Sequence, residues 1–179
     1  MTRRCLALLL ALFLLLPGLN ALAEEEARAQ SVSRLNGLME EFLNSKGYTY
    51  TFEDDTYSLD FSLDSVLSSC EVQVRVYYDA VEVIATPPIS AAEANREKLA
   101  LFITLANYQL FYSQLGMRLE SGKFYSRSVQ LVEDIYPGME ELGVLFHLCL
   151  NDLDHYGDAL SQVALMGADP YETFASTME

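Results

Sequence analysis

From Tyr57 to Leu63 apolar side chains alternate with polar ones: Tyr57, Leu59, Phe61 and Leu63 against Ser58, Asp60, Ser62 and Asp64. A period of two marks a strand with one covered face and one wet face. The pattern returns at Val72, Val74, Val76 and Tyr78 against Glu71, Gln73, Arg75 and Tyr77, and again from Val81 to Thr86 after Asp79-Ala80. Pro87-Pro88 closes that strand, because neither proline has an N–H to give a ladder. Upstream, Tyr48, Tyr50 and Phe52 alternate with Thr49, Thr51 and Glu53, and Asp54-Asp55 is the turn. Downstream, Met117 to Glu120 and Phe124 to Val132 read as a hairpin through Ser121-Gly122-Lys123, with the glycine supplying the positive dihedral.

Between and around these strands the period changes to that of a helix. Val32, Leu35, Leu38, Met39, Phe42 and Leu43 recur at three and four, predicting a helix over residues 27–46 that stops at Gly47. Ser90, three residues ahead of Glu93, is the expected N-cap of a second helix running to about Tyr112. From Leu99 to Leu110 this helix is apolar on most sides, so it is expected to be buried as the core element. Leu142, Leu145, Phe146, Cys149, Leu153, Tyr156, Leu160 and Val163 hold helical spacing in a third helix from Pro137 to about Leu165. Glu140, Glu141, Asp152, Asp154 and Asp158 are expected to face outward, Gly167 and Pro170 to end the helix, and residues 171–179 to form a flexible tail. One-sided strands and amphipathic helices predict a two-layer α+β domain: an antiparallel sheet, an N-terminal helix, a buried central helix and a long C-terminal helix.

The first residues carry a different signal. Arg3 and Arg4 precede an apolar run from Leu6 to Leu16, Pro17-Gly18 is expected to break any helix, and Ala21-Leu22-Ala23 leads into Glu24-Glu25-Glu26. This is the order of a secretory signal with cleavage after Ala23, Ala21 and Ala23 being the small recognition residues. The run is short for a membrane span, which takes about 20 apolar residues, and retention as an anchor is the competing reading. The division expected is thus signal peptide 1–23, one domain 24–170 and tail 171–179, in a protein that is secreted, periplasmic or attached to the cell envelope. Removing residues 1–23 takes away two cations and no acid, moving the formal charge from -15 to -17. That sign excludes nucleic acid and anionic lipid as natural partners, since both need clustered cations, and leaves the signal segment as the only route to a membrane.

Two cysteines lie beyond the signal. Cys70 and Cys149 would contribute about 4 kcal/mol if bridged across so long a loop; alternatively they are two buried thiols. No CxxC, HExxH or other ligand spacing is present, so no metal and no cofactor is expected. His147 and His155 are eight residues apart on one helix, too far to share one small ion. Asp54, Asp55, Asp60 and Asp64 lack the spacing of a calcium loop and read as a solvated surface. No elbow motif supports a nucleophile, so no catalytic residue is expected.

Asn107 is the polar exception in the apolar helix, and burial would oblige its amide to find partners in the adjoining hairpin or in a ligand. Tyr77, Tyr78, Tyr108, Tyr112 and Tyr125 suit either a protein interface or an ordinary antiparallel sheet. The segment Asn95-Arg96-Glu97-Lys98-Leu99-Ala100-Leu101-Phe102-Ile103-Thr104-Leu105-Ala106-Asn107-Tyr108, with the Glu120-Ser121-Gly122 turn and a long acidic helix after it, resembles the YbjN-type family of candidate bacterial sensory-transduction regulators. That family is similar in fold to the chaperones of type III secretion. The resemblance implies a small protein-binding or regulatory fold, often a homodimer, with no active-site residues to carry over.

The expectation is therefore an exported, non-enzymatic, chaperone-like module with a protein or peptide partner, in which Asn107 and Tyr108 lock structure or bind. The alternative is a small extracytoplasmic ligand-binding domain or hydrolase with a pocket near Asn107.

Overall fold

A computed structural model describes residues 2–132 and 135–178, with side chains from Leu22 onward. The first element is a single helix, α1 (Thr2–Ser45). It begins far ahead of residue 27, and Pro17-Gly18, expected to break it, lies inside it. An internal proline costs a helix about 3 kcal/mol, and here the Leu- and Ala-rich turns on both sides carry the helix across. Gly47 takes a positive φ of 69° and ends the helix where the sequence places its stop. The described contacts of α1 begin late: Leu35, Met39, Phe42 and Leu43 are buried, whereas residues 22–30 are exposed.

Six strands form one antiparallel sheet: β1 (Thr51–Glu53), β2 (Thr56–Ser62), β3 (Ser69–Val76), β4 (Ala80–Thr86), β5 (Ser113–Met117) and β6 (Phe124–Leu131), in the order β1-β2-β3-β4-β6-β5. Asp54 and Asp55, at φ 49° and 57°, make the two-residue β1–β2 turn, the geometry that matches the twist of a hairpin. Tyr57, Leu59, Val72, Val74 and Val76 are buried on the inner face, as their alternation requires. β1 is shorter than expected because Tyr48 and Tyr50 leave the ladder to pack on Phe42, Phe61 and Tyr57.

The central helix differs at both ends. Ser90 is not an N-cap. It bridges Lys123, and Ala91 N–H donates to the Gly122 carbonyl, so backbone pairing with the hairpin tip overrides the local capping signal. A 3-10 turn at Glu93–Asn95 then starts α2 (Arg96–Asn107). The helix stops at Asn107 instead of Tyr112, which frees residues 113–117 to form β5 ahead of the expected Met117. Leu99, Phe102, Ile103 and Ala106 are buried, and Leu101 and Leu105 are half-buried.

α3 (Met139–Ser161) buries its predicted stripe from Leu142 to Leu160, crosses β4 and β6, and passes close to α1 at Gly143. It continues through a wide π turn at Gln162–Met166 to Gly167, whose φ is 68°. The expected tail is instead a further helix, α4 (Pro170–Ser176), packed on α2. Asp169 caps it by accepting from Tyr171 and Glu172 N–H at 2.9 and 3.1 Å, and Phe174 meets Phe102 edge to face at 6.3 Å. Among the described residues the helices pack on the inner side of the sheet or along its β5 edge, and none covers the outer sheet face.

Candidate protein-binding surface

Register decides which side chains share the open face. Arg75, Glu82 and Val129 stand side by side on β3, β4 and β6, and Gln73, Ile84, Arg127 and Gln114 form the next row, reaching β5. Glu82 is only 6% exposed although it lies on the outer face. Its carboxylate is covered by the Arg127 guanidinium, which pairs with Oε1, and by the Tyr77 hydroxyl, which donates to Oε2 at 3.1 Å. A carboxylate so shielded requires this pairing, because a buried unpaired charge is costly. With its charge matched inside the sheet, Arg127 adds little net positive charge to the surface.

Toward β5 the face becomes apolar. Val129 and Leu131 point outward, and the α2–β5 connection presents Tyr108, Phe111 and Tyr112 at 86%, 89% and 80% exposure. Phe111, Tyr112, Ser113, Gln114, Arg127 and Val129 line a shallow groove of about 280 Å³. The residues from Tyr108 to Gln114 carry no charge, in a chain with 26 acids and 11 bases. Toward β1 the face is instead polar and acidic, with a broader groove of about 640 Å³ bounded by Glu53, Asp54, Asp55, Gln73, Arg75 and Tyr77. The open face thus has an aromatic end and an acidic end.

Asn107 sits between α2 and the free edge of β5. Its Nδ2 donates to the Leu115 carbonyl at 2.9 Å, and Leu115 N–H donates to its Oδ1 at 2.7 Å. These are the two bonds that a residue of a seventh strand would make, so the side chain stands in for a neighbouring strand at the middle of the edge. None of the grooves described here is lined by Asn107, and its amide is committed at both ends. Tyr108, next to it, points into solvent.

The other candidates are dispersed. Ala23 is exposed on α1, and Ala21 lies outside the described side chains. Cys70 and Cys149 are free and buried. Burial pushes the Cys70 thiol up to about 12 and Cys149 to about 11, so both are held protonated and unreactive. His147 and His155 are exposed, the latter stacked edge-on against Tyr156 at 4.5 Å. Among the described residues no three His, Cys, Asp or Glu side chains group to hold a metal ion.

Asp152 departs from its expected outward place. It is buried at the α3–β6 contact, where Ser126 Oγ donates to Oδ2 at 2.6 Å, and burial raises its pKa above the ordinary carboxylate value. The signal was present in the spacing: Asp152 lies three residues after Cys149 and next to Leu153, on the buried stripe. Asp154 and Asp158 also do structural work. They accept N–H bonds from Asp64, Ser65 and Val66 at 2.7, 3.1 and 2.9 Å, pinning the β2–β3 loop to α3 beside Gly157.

No protein-family profile and no curated protein sequence matches the chain. Among solved structures, its fold is similar to that of YbjN from E. coli, a candidate transcription regulator. The match has a TM-score of 0.52 at 11% identity, over 65% of this chain and 83% of that one. The fold is YbjN-like. It is also similar to a chain of the ExsC–ExsE complex, with a TM-score of 0.50 at 14% identity, over 75% of this chain and 96% of that one. A chain of the HopA1–SchA chaperone–effector complex aligns at a TM-score of 0.46 and 15% identity, over 65% of this chain and 87% of that one. The chain thus shares its fold with YbjN and with a chain of the ExsC–ExsE complex.

Proposed function

We propose that this domain is a non-enzymatic, chaperone-like binding module that holds a segment of a partner protein on the aromatic end of its open sheet face. The observation that carries this reading is the exposure of Phe111 and Tyr112 beside Val129 in one groove, with Tyr108 and Leu131 exposed as well. Large aromatics are enriched in protein interfaces, and an exposed apolar patch of this kind is uncommon on a surface with no partner. The YbjN-like fold agrees with it, and one similar structure is a complex of two proteins. The Asn107 amide is bonded at both ends and lines none of the grooves described here, which favours binding over hydrolysis at that position.

In this reading the module acts outside the cytoplasmic membrane, following its N-terminal signal pattern. It also pairs as a homodimer, as the family resemblance implies; a strictly monomeric chain in light scattering at micromolar concentration removes that part. The test of binding is cross-linking in the native cell with a photoreactive residue at position 111 or 112, followed by partner identification. A discrete adduct is expected, lost when Phe111 and Tyr112 are both replaced by Ser in a chain labelled at position 108. Labelling no stronger than at exposed Glu41, on α1, overturns the assignment of this face.

A further inference from the structure

We infer that the peptide bond between Ala23 and Glu24 is a processing site, cut by a membrane-bound leader peptidase, and that the cut leaves the folded domain whole. This rests on the reading that the chain is exported. The sequence supplies the recognition pattern, with small residues at Ala21 and Ala23 after an apolar run. The structure adds where this bond lies relative to the packing.

Leu22, Ala23 and the residues up to Gln30 are exposed along α1. The first described side chain of α1 to touch the rest of the domain is Arg28, whose guanidinium lies over the Tyr78 ring at 4.9 Å. Ser31 Oγ then donates to the Tyr78 carbonyl at 2.6 Å, and Arg34 covers Tyr136 at 4.0 Å. Leu35 is the first fully buried residue among the described side chains of the helix. Between the bond and Arg28 lie only Glu24, Glu25, Glu26 and Ala27, about one helical turn. A protease that needs the chain extended around Ala23 can therefore unwind that turn without breaking a described contact with the sheet.

The residues left behind suit the new end. After the cut, Glu24, Glu25 and Glu26 occupy the first turn of the shortened helix, where negative side chains favour the exposed N–H groups and offset the new ammonium. In the uncut helix the same three acids are interior and gain nothing from a terminus. The reaction is hydrolysis: water adds its hydroxyl to the Ala23 carbonyl carbon and its proton to the Glu24 nitrogen as the C–N bond breaks.

The test expresses the full chain in a bacterial host with an intact secretion system, fractionates the cells and measures the intact mass of the product. The expected product begins at Glu24 and is found outside the cytoplasm. Ala23→Phe should leave the full chain attached to membranes, with a thermal midpoint within about 1 °C of the processed wild type. Full-length wild-type chain in the membrane, with its domain open to external protease, would leave export standing and overturn the cleavage. Full-length chain in the cytosol overturns both, and a different first residue overturns the bond assigned. A midpoint that differs by several degrees between processed and uncut chains overturns the independence of the domain.

Discussion

At the scale of single residues, two polar side chains inside the fold behave in opposite ways. Asn107 is fully used, since its amide closes two bonds with Leu115 at the sheet edge. Asn107→Ala strands both backbone groups in a part-buried place, and should cost roughly 1–3 kcal/mol in urea denaturation. An unchanged midpoint would mean that water replaces the amide there. Asp152 instead opposes the fold at neutral pH. Burial raises its carboxyl pKa, while the Ser126 and Ser113 hydroxyls and the nearby His155 only partly counter this. Because the folded value lies above the unfolded one, the folded state favours the protonated acid. Its contribution to stability is greatest below the unfolded pKa of about 3.9 and is lost as pH rises through the folded value. Asp152→Asn should therefore raise the thermal midpoint at pH 7–8, with the difference shrinking toward pH 4. A variant less stable than wild type at pH 7.5 would show that the ionised carboxylate is well compensated by its neighbours.

At the scale of elements, legibility followed the distance over which each signal acts. The strands around Tyr57–Leu63 and Val72–Val76 and the Leu142–Val163 stripe could be read because alternation and helical spacing report local geometry directly. The start of α2 could not, because Ser90 is claimed by backbone pairing with a hairpin more than 30 residues away. The aromatic end of the open face was half legible. The tyrosines stood out by composition, but Phe111 joined them only once α2 ended at Asn107 and released the connection into solvent. Pairing of Glu82 with Arg127 needed the β4–β6 register, which skips over β5 in chain order. α4 was missed because seven residues after a proline look like a tail. Its signals were Asp169 as a cap and Phe174 as an anchor on Phe102. Phe174→Ala should cost about 1–2 kcal/mol, less than the roughly 3–5 kcal/mol of a fully buried aromatic because the ring is half-buried, and lower the thermal midpoint by roughly 2–8 °C. A midpoint equal to wild type would return residues 171–179 to the status of a loose end.

At the scale of the whole molecule, charge and cohesion work against each other. The chain carries -15 formally, yet the described residues form just two ion pairs, Arg28 with Glu24 and Arg127 with Glu82. Most acids therefore face water without a cation at hand, and their mutual repulsion is relieved when the chain expands. Salt should weaken that repulsion more than it weakens the shielded Glu82–Arg127 pair, because the screening length falls from about 30 Å at 0.01 M to about 8 Å at 0.15 M while a shielded pair is screened less. The thermal midpoint is thus expected to rise over that range by about 2–4 °C, equivalent to roughly 1 kcal/mol in a domain of this size. The slope should diminish when Glu41 on α1 and Asp55 in the β1–β2 turn are both changed to Lys, since each replacement moves the net charge two units toward zero. Scanning fluorimetry at fixed pH across sodium chloride concentrations gives both numbers. A midpoint that stays flat or falls with salt would mean that attraction between charges, beyond the two described pairs, outweighs repulsion in holding the domain together.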